Sequence, residues 1–283
     1  MANPLTAAAV LAALRAEGVR VVEVGNWRTH NRNQKGAWGP LNGSIVHHTV
    51  SSGTAATVRI VRDGYSSLPG PLCHGMIAKD GQVHMVGWGR TNHAGGGDPK
   101  VLEQVIAESY GARPTPPTRG NSNGVDGNAR YYGWECENLG DGKDPWPAAQ
   151  YDAIVRVQAA LCRAHGWSAK SVIGHLEWSS DKVDPRGFSM ADLRADVAER
   201  LKHPASWNPG TATPTPPKET PMSTTDDRVK ALHTNLLSIG EIGTTAKGTP
   251  SGRVEHGAGY YLAHILNEVR QLRAEVAELK GKP

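Results

Sequence analysis

The sequence has little cysteine and no long apolar run. Its three cysteines, Cys73, Cys136 and Cys162, are an odd number in a chain of 283 residues, and their spacing fits neither a disulfide framework nor a structural zinc site. We therefore expect synthesis in a reducing compartment. No stretch approaches the roughly 20 apolar residues that a transmembrane helix needs, so we expect no membrane span.

A signal peptide and a dense basic segment are also missing. The apolar run at 7–14 has no basic segment before it and is followed by Arg15 and Glu17, so it predicts an amphipathic helix. Lysine and arginine are spread along the chain without a nucleic-acid-binding motif, so we expect no nucleic-acid partner. The net charge of +4 and the pI near 9.0 favour approach to an anionic polymer such as a cell wall.

Glycine and proline, by contrast, are abundant, with 33 and 19 residues. Residues 204–221 read PASWNPGTATPTPPKETP, a Pro/Thr-rich run that favours extended conformations. It predicts a linker at 204–222, which separates a larger domain at 1–203 from a small helical domain at 223–283.

The larger domain mixes helical and strand patterns, which predicts an α/β fold with a central mixed β-sheet flanked by helices. The Gly-, Pro-, Asn- and Thr-rich stretch 92–130 predicts a long functional loop at the working edge of this sheet. The predicted helices are 6–17, 100–110, 148–165 and 190–202, and the predicted strands are 19–24, 44–48, 131–137 and a hairpin at 75–86 that turns at Asp80-Gly81.

Histidines and an aspartate form the first candidate site. GSIVHHTV at 43–50 has two adjacent histidines, and because alternate strand residues point to opposite faces, only one can share a face with a given site. His175 and Asp184 lie nine residues apart in GHLEWSSDKVDP at 174–185. Two imidazoles and one carboxylate, with the fourth position open, are typical of a catalytic zinc site. The alternative is a pair of half-buried strand histidines bonded to neighbouring groups.

Two carboxylates in GWECEN at 133–138 form the second candidate site. In a strand, Glu135 and Glu137 share one face, and Trp134 and Cys136 share the other. In the functional interpretation Glu135 is a general base that takes a proton from the attacking water, and Lys182 steadies the oxyanion. The alternative is a solvated strand face.

Together and in this order, these segments resemble the type 2 N-acetylmuramoyl-L-alanine amidases of the peptidoglycan-recognition fold, which are common among phage lysins. The resemblance covers roughly residues 20–202. It implies that a zinc ion, Zn2+, is bound by His47 in IVHHT, His175 in the Gly-His pair and Asp184 in KVDP, and that His48 is not a ligand.

The same resemblance implies catalytic roles for Glu135 and Lys182. It also implies contacts of His74, in CHGMIAKDGQV, and His93, in NHAG, with the muramyl peptide. Some relatives carry a catalytic tyrosine just before the first of these histidines, where this chain has Cys73. Because the tyrosine is missing, we expect Glu135 to have the larger catalytic role.

The activity implied is hydrolysis of the amide bond between N-acetylmuramic acid and L-alanine in bacterial peptidoglycan, which causes lysis as a phage endolysin does. Two alternatives stay open: a non-catalytic peptidoglycan-binding module of the same fold, and a cytoplasmic amidase that recycles muropeptides. For an endolysin we expect synthesis in the host cytoplasm without a signal peptide and holin-type export to the wall.

The C-terminal region predicts assembly. Apolar residues spaced alternately by three and four predict a short coiled coil and a homo-oligomer; they are Leu262, Ile265, Val269, Leu272, Val276 and Leu279. The alternative is a helix packed on its own domain. Lys218-Glu219 can be encoded as a ribosome-binding sequence upstream of Met222, which predicts an internal start and a shorter C-terminal fragment.

Overall fold

The structure of the protein is a computed structural model that describes residues 2–208. The predicted boundaries of the linker and the small C-terminal domain, the predicted coiled coil from Leu262 and the fragment that begins at Met222 lie outside the described residues. Within residues 2–208, no helix is both long enough and apolar enough to span a membrane.

The described residues form six α-helices and eight β-strands, together with three short 3-10 helices. The helices are α1 (Ala7–Ala16), α2 (Thr54–Asp63), α3 (Pro99–Ile106), α4 (Ala148–His165), α5 (His175–Trp178) and α6 (Met190–Leu201). The strands are β1 (Val21–Glu23), β2 (Gly43–His48), β3 (Gly75–Ile77), β4 (Val83–Met85), β5 (Gly96–Gly97), β6 (Val125–Asp126), β7 (Tyr131–Cys136) and β8 (Val172–Gly174). The 3-10 helices are Asn33–Lys35, Gly127–Ala129 and Ala169–Ser171.

Six of the strands form the central sheet, in the order β1-β4-β3-β7-β2-β8. The β3–β4 hairpin is antiparallel, and the other neighbouring pairs run parallel. The predicted mixed sheet is therefore confirmed. Strands β5 and β6 form a separate two-stranded antiparallel sheet.

Helices cover both faces of the central sheet. Val46 and Trp134 point to one face, where they pack with apolar residues of α1, α4 and α6. Ile45 and Tyr131 point to the other, where they pack with α3 and with Trp178 of α5. Side chains alternate along a strand, so residue 47 of β2 and residue 135 of β7 belong to this second face, near the carboxyl ends of their strands.

Several elements differ from the sequence-based expectations. The helix predicted at 100–110 is α3, which begins at Pro99 and ends at Ile106, and the rest of the predicted loop 92–130 also contains the short strands β5 and β6. Helix α2, strand β8 and helix α5 were not predicted. Strand β8 has three residues and α5 has four, which is too short for a periodic pattern to reveal them.

Candidate metal centre and catalytic groups

His47, His175 and Asp184 come together at the carboxyl edge of the sheet. His47 is in β2, and His175 directly follows β8, so two parallel neighbouring strands present them side by side. Their Nδ1 atoms are 2.9 Å apart, and each lies 3.1 Å from Oδ2 of Asp184. All three residues are buried. Ligand atoms of a tetrahedral zinc ion, bound at about 2.0–2.2 Å, are separated by roughly 3.3 Å, so this triangle is close to that size.

Hydrogen bonds at the far side of each ring determine where its proton lies. The Nε2 atom of His175 is 3.2 Å from the carbonyl oxygen of Ala94, which can only accept, so this nitrogen carries the proton. The Nε2 atom of His47 is 3.1 Å from Nδ1 of His93. Since Nε2 of His93 donates to the carbonyl oxygen of Tyr131 at 3.2 Å, that Nδ1 accepts. Both histidines of the triangle therefore direct a bare Nδ1 lone pair inward.

The donor set fits a divalent cation. Burial, and then the neighbouring His175, lower the pKa of His47 to about 4, so its imidazole is neutral near pH 7. Three acceptor atoms then face one another without a proton between them, an arrangement that a cation satisfies and a hydrogen bond does not. Two imidazoles and one carboxylate leave a fourth tetrahedral position open, as in catalytic zinc sites.

His48 has a different environment. Its Nδ1 accepts a hydrogen bond from the backbone N–H of Arg186 at 3.2 Å, and Gly140 packs so closely on its ring that a Cβ there would lie 2.3 Å from Nε2. The adjacent histidine is therefore held by the surrounding loops and is not part of the triangle, in accord with its predicted role as a non-ligand.

A buried ion pair holds the short helix that begins with His175. Arg194 of α6 binds Glu177 through two parallel contacts of 2.7 and 2.8 Å. Glu177 also accepts from the backbone N–H of Gly174 at 3.1 Å, and Arg194 donates to the carbonyl oxygen of Val172. Such bidentate pairs are geometrically specific, so this contact fixes the path of the chain on both sides of His175.

Glu135 is next to the triangle. The strand register places it opposite His47, on the same face of the sheet. Its Oε2 atom is buried and has no hydrogen-bond partner among residues 2–208. Burial, and then the charge of Asp184, raise the pKa of the Glu135 carboxyl well above its usual range, although Lys182 acts in the opposite direction. An unpaired carboxylate beside a metal site is available for proton transfer.

The second predicted carboxylate, Glu137, has a structural role. Glu137 accepts from the backbone N–H of Gly53 at 2.8 Å and from the hydroxyl of Thr54 at 2.7 Å. It therefore caps the amino-terminal end of α2. The alternation argument placed two carboxylates on one face, and the structure leaves one of them without a partner.

The charge of Lys182 affects two residues of the candidate site. Its charge lowers the pKa of His47 and of Glu135, and its side chain is half-buried. It is two residues before Asp184, on the loop that connects α5 to that ligand.

The two predicted substrate contacts are buried. Nδ1 of His74 accepts from the backbone N–H of Gly133, and its Nε2 donates to the carbonyl oxygen of Gly89, both at 2.9 Å. His93 is 7% exposed and bonds His47. Contact of either residue with a substrate stays a prediction. Cys73 is fully buried, and burial raises the pKa of its thiol, so it is no substitute for a catalytic tyrosine.

Sequence reasoning missed the groups that orient the ligands. The carbonyl oxygens of Ala94 and Tyr131 belong to the backbone, and no side-chain pattern reveals them. Arg194 looks like any arginine of an amphipathic helix. The Asn-His-Ala segment at 92–94 was noticed, but as part of a substrate groove.

Comparison with known proteins identifies a family. Residues 37–187 match the family Amidase_2, described as N-acetylmuramoyl-L-alanine amidase. No curated protein sequence matches the chain significantly.

Solved structures of three bacterial amidases or hydrolases are similar to this chain. The N-acetylmuramoyl-L-alanine amidase LysC from Clostridium intestinale is 17% identical with a TM-score of 0.39, over 63% of this chain and 97% of that one. The N-acetylmuramyl-L-alanine amidase AmiD from E. coli is 14% identical with a TM-score of 0.41, over 58% and 60%. The hydrolase AmiA from Staphylococcus aureus is 12% identical with a TM-score of 0.43, over 70% and 93%.

The metal centre predicts different results for two adjacent histidines. His47→Ala removes one ligand. If the ~10–16 kcal/mol of a four-ligand structural zinc site is divided equally, each ligand contributes roughly 3 kcal/mol, so zinc affinity should fall on the order of 100-fold. Competition titration with a chromophoric chelator at pH 7 measures this loss, and zinc should raise the melting temperature of the wild type much more than that of the variant.

His48→Ala is the matched control. It removes an imidazole from the next position of the same strand, so it is expected to lower stability while zinc affinity stays within about twofold of wild type. Equal zinc affinities for His47→Ala and the wild type would contradict the assignment of this ligand.

Proposed function

The chain belongs to the N-acetylmuramoyl-L-alanine amidase family, and from this premise we propose that it is a zinc-dependent, endolysin-like enzyme that lyses bacteria by hydrolysing the amide bond between N-acetylmuramic acid and L-alanine. The substrate of the family is bacterial peptidoglycan. The proposal adds the identity of the metal, the residues that act and the biological setting.

One observation carries the assignment of zinc. Two bare imidazole nitrogens and one carboxylate oxygen lie within 3.1 Å of one another, beside a buried carboxylate without a partner. When bound there, zinc supplies Lewis-acid chemistry, because it acidifies water and polarises a carbonyl group. A purely binding module has no need of an open metal site with a base beside it.

Glu135 is the proposed general base. Its carboxylate takes a proton from the water that attacks the lactyl carbonyl carbon, and it then returns this proton to the departing nitrogen of L-alanine. Burial raises the pKa of Glu135, so this carboxyl group holds a proton more readily than an exposed glutamate does, which allows it to carry the proton from the water to the departing nitrogen.

Lys182 is the proposed oxyanion group. A negative charge develops on the carbonyl oxygen as the tetrahedral intermediate forms, and a fixed positive charge nearby stabilises it. Two observations support this role: Lys182 is two residues before Asp184, and its charge lowers the pKa of His47 and of Glu135.

The biological setting rests on the sequence beyond the described residues. A separate assembling segment joined by a Pro/Thr-rich linker at 204–222 favours an insoluble substrate, because several linked sites bind a polymer more tightly than one. We propose that residues 223–283 oligomerise or target the cell wall. We further propose that the protein reaches the wall by holin-type release from the host cytoplasm.

Glu135→Gln tests the reaction. The substitution keeps the size of the side chain but removes the base, so the rate should fall about 10²- to 10⁴-fold while zinc content stays at the wild-type level. On purified sacculi, the wild type should release new N-terminal alanine and no new reducing sugar. Edman or mass-spectrometric end-group analysis measures both products.

Glu137→Gln is the control for that substitution. It changes the neighbouring carboxylate that caps α2, so stability should fall by about 1 kcal/mol with little effect on the rate. New reducing sugars from the wild type would mark a glycosidase and overturn the proposal, and a Glu135→Gln enzyme as fast as the wild type would place the base elsewhere.

The assembly proposal has its own test. Expression of the unmodified gene should give the full chain and a fragment of 62 residues, counted from Met222 to Pro283, in one complex. Intact mass spectrometry and light scattering measure the fragment and the oligomer. The substitution Met222→Leu should remove the fragment. The double substitution of Leu272→Lys and Leu279→Lys should dissociate the complex. A single monomeric species from the wild type would refute both ideas.

A further inference from the structure

A two-residue segment, His93–Ala94, contacts the outer nitrogens of both histidine ligands. We propose that this segment, anchored by Asn128, is a positioning unit that fixes the tautomer of His47 and of His175 so that each presents Nδ1 to the metal. The inference rests on the proposed zinc site, and it assigns to His93 a role that differs from a direct substrate contact.

The side chain of His93 acts on His47. The chain of contacts begins at the carbonyl oxygen of Tyr131, which accepts from Nε2 of His93, and continues from Nδ1 of His93 to Nε2 of His47 at 3.1 Å. A carbonyl oxygen has no proton to donate, so each ring in this series of hydrogen bonds must donate from its Nε2 atom. The proton of His47 is consequently held on Nε2.

The backbone of Ala94 acts on His175 in the same way. Its carbonyl oxygen lies 3.2 Å from Nε2 of His175 and accepts the proton of that ring. Two adjacent residues therefore fix the tautomers of both histidines. His93 acts through its side chain, and Ala94 acts through its backbone carbonyl group. A shift of this segment would disturb both rings together.

Asn128 holds the segment in place. Its Oδ1 atom accepts from the backbone N–H groups of both His93 and Ala94, each at 2.8 Å. Asn128 is 8% exposed, and its own N–H is bonded to Asp126 at 3.1 Å. A single amide oxygen thus fixes both members of the segment from a different part of the chain.

The neighbouring strand is shaped to receive the His93 ring. Gly133 of β7 has no side chain, and a Cβ there would lie 2.3 Å from Cγ and Nδ1 of His93. Strand β7 also contains Tyr131 and Glu135. One strand therefore carries the proposed base, leaves space for the His93 ring and accepts a hydrogen bond from it.

The expected energetic effect follows from tautomer choice. A neutral imidazole that loses its partner at Nε2 can move its proton to Nδ1, and in that form it cannot bind a metal through Nδ1. Loss of groups that orient metal ligands lowers metal affinity about 10- to 100-fold. His93→Leu should therefore weaken zinc binding by this factor without removing a ligand.

His93→Asn should restore most of the lost affinity, because its amide oxygen takes the approximate place of Nδ1 and accepts from His47. His165→Leu is the matched control. It removes a half-buried imidazole that bonds the hydroxyl of Tyr132 but touches no residue of the metal centre. It should lower stability and leave zinc affinity unchanged. All affinities are measured on the full chain by competition with a chelator.

Two further measurements make the test decisive if His93→Leu does not fold. Asn128→Ala should weaken zinc binding, and Asn128→Asp, which keeps an acceptor oxygen, should weaken it less. In the unmodified zinc-free protein, nitrogen NMR should show the proton of His47 on Nε2. A proton on Nδ1, or wild-type zinc affinity in His93→Leu or Asn128→Ala, would overturn the inference. Absence of zinc binding by the wild type would instead overturn the proposed function.

Discussion

The site depends on the mutual repulsion of three lone pairs. His47, His175 and Asp184 direct acceptor atoms at one another across 2.9–3.1 Å, in a buried region where electrostatic interactions are poorly screened. Hydrogen bonds on the outer side of each ring keep protons away from the centre. A bound cation would relieve this repulsion, and the sheet and the ion pair of Glu177 hold the acceptors in place.

The same geometry explains why the site is suited to catalysis rather than to structural support. Three candidate ligand atoms would leave one position open for water or substrate. Glu135 is opposite His47 on the same face, and its Oε2 has no partner in the described part of the chain. Two neighbouring polar side chains have partners within the protein: Glu137 caps a helix and His48 bonds Arg186. Neither of these two side chains is therefore directed at the open position.

The features that could be predicted from the sequence are those with a long periodic pattern or a recognisable set of side chains. The 18-residue helix Ala148–His165 was predicted to the residue, because its pattern is long and periodic, and the mixed sheet followed from its hairpin and strands. Short elements such as β8 carry no such pattern. The grouping of two histidines with Asp184 followed from the donor types, and the choice of His47 over His48 followed from the family resemblance. The orientation of His175 by the Ala94 carbonyl could not be predicted, because backbone acceptors are independent of residue type.

X-ray absorption at the zinc edge tests the central claim most directly. The zinc-loaded full chain should show one tightly bound ion whose ligands are nitrogen and oxygen atoms at about 2.0–2.2 Å, with the multiple-scattering signature of two imidazoles. A sulfur ligand at about 2.3 Å, a single imidazole, or no stoichiometric zinc in the wild-type protein would contradict the account.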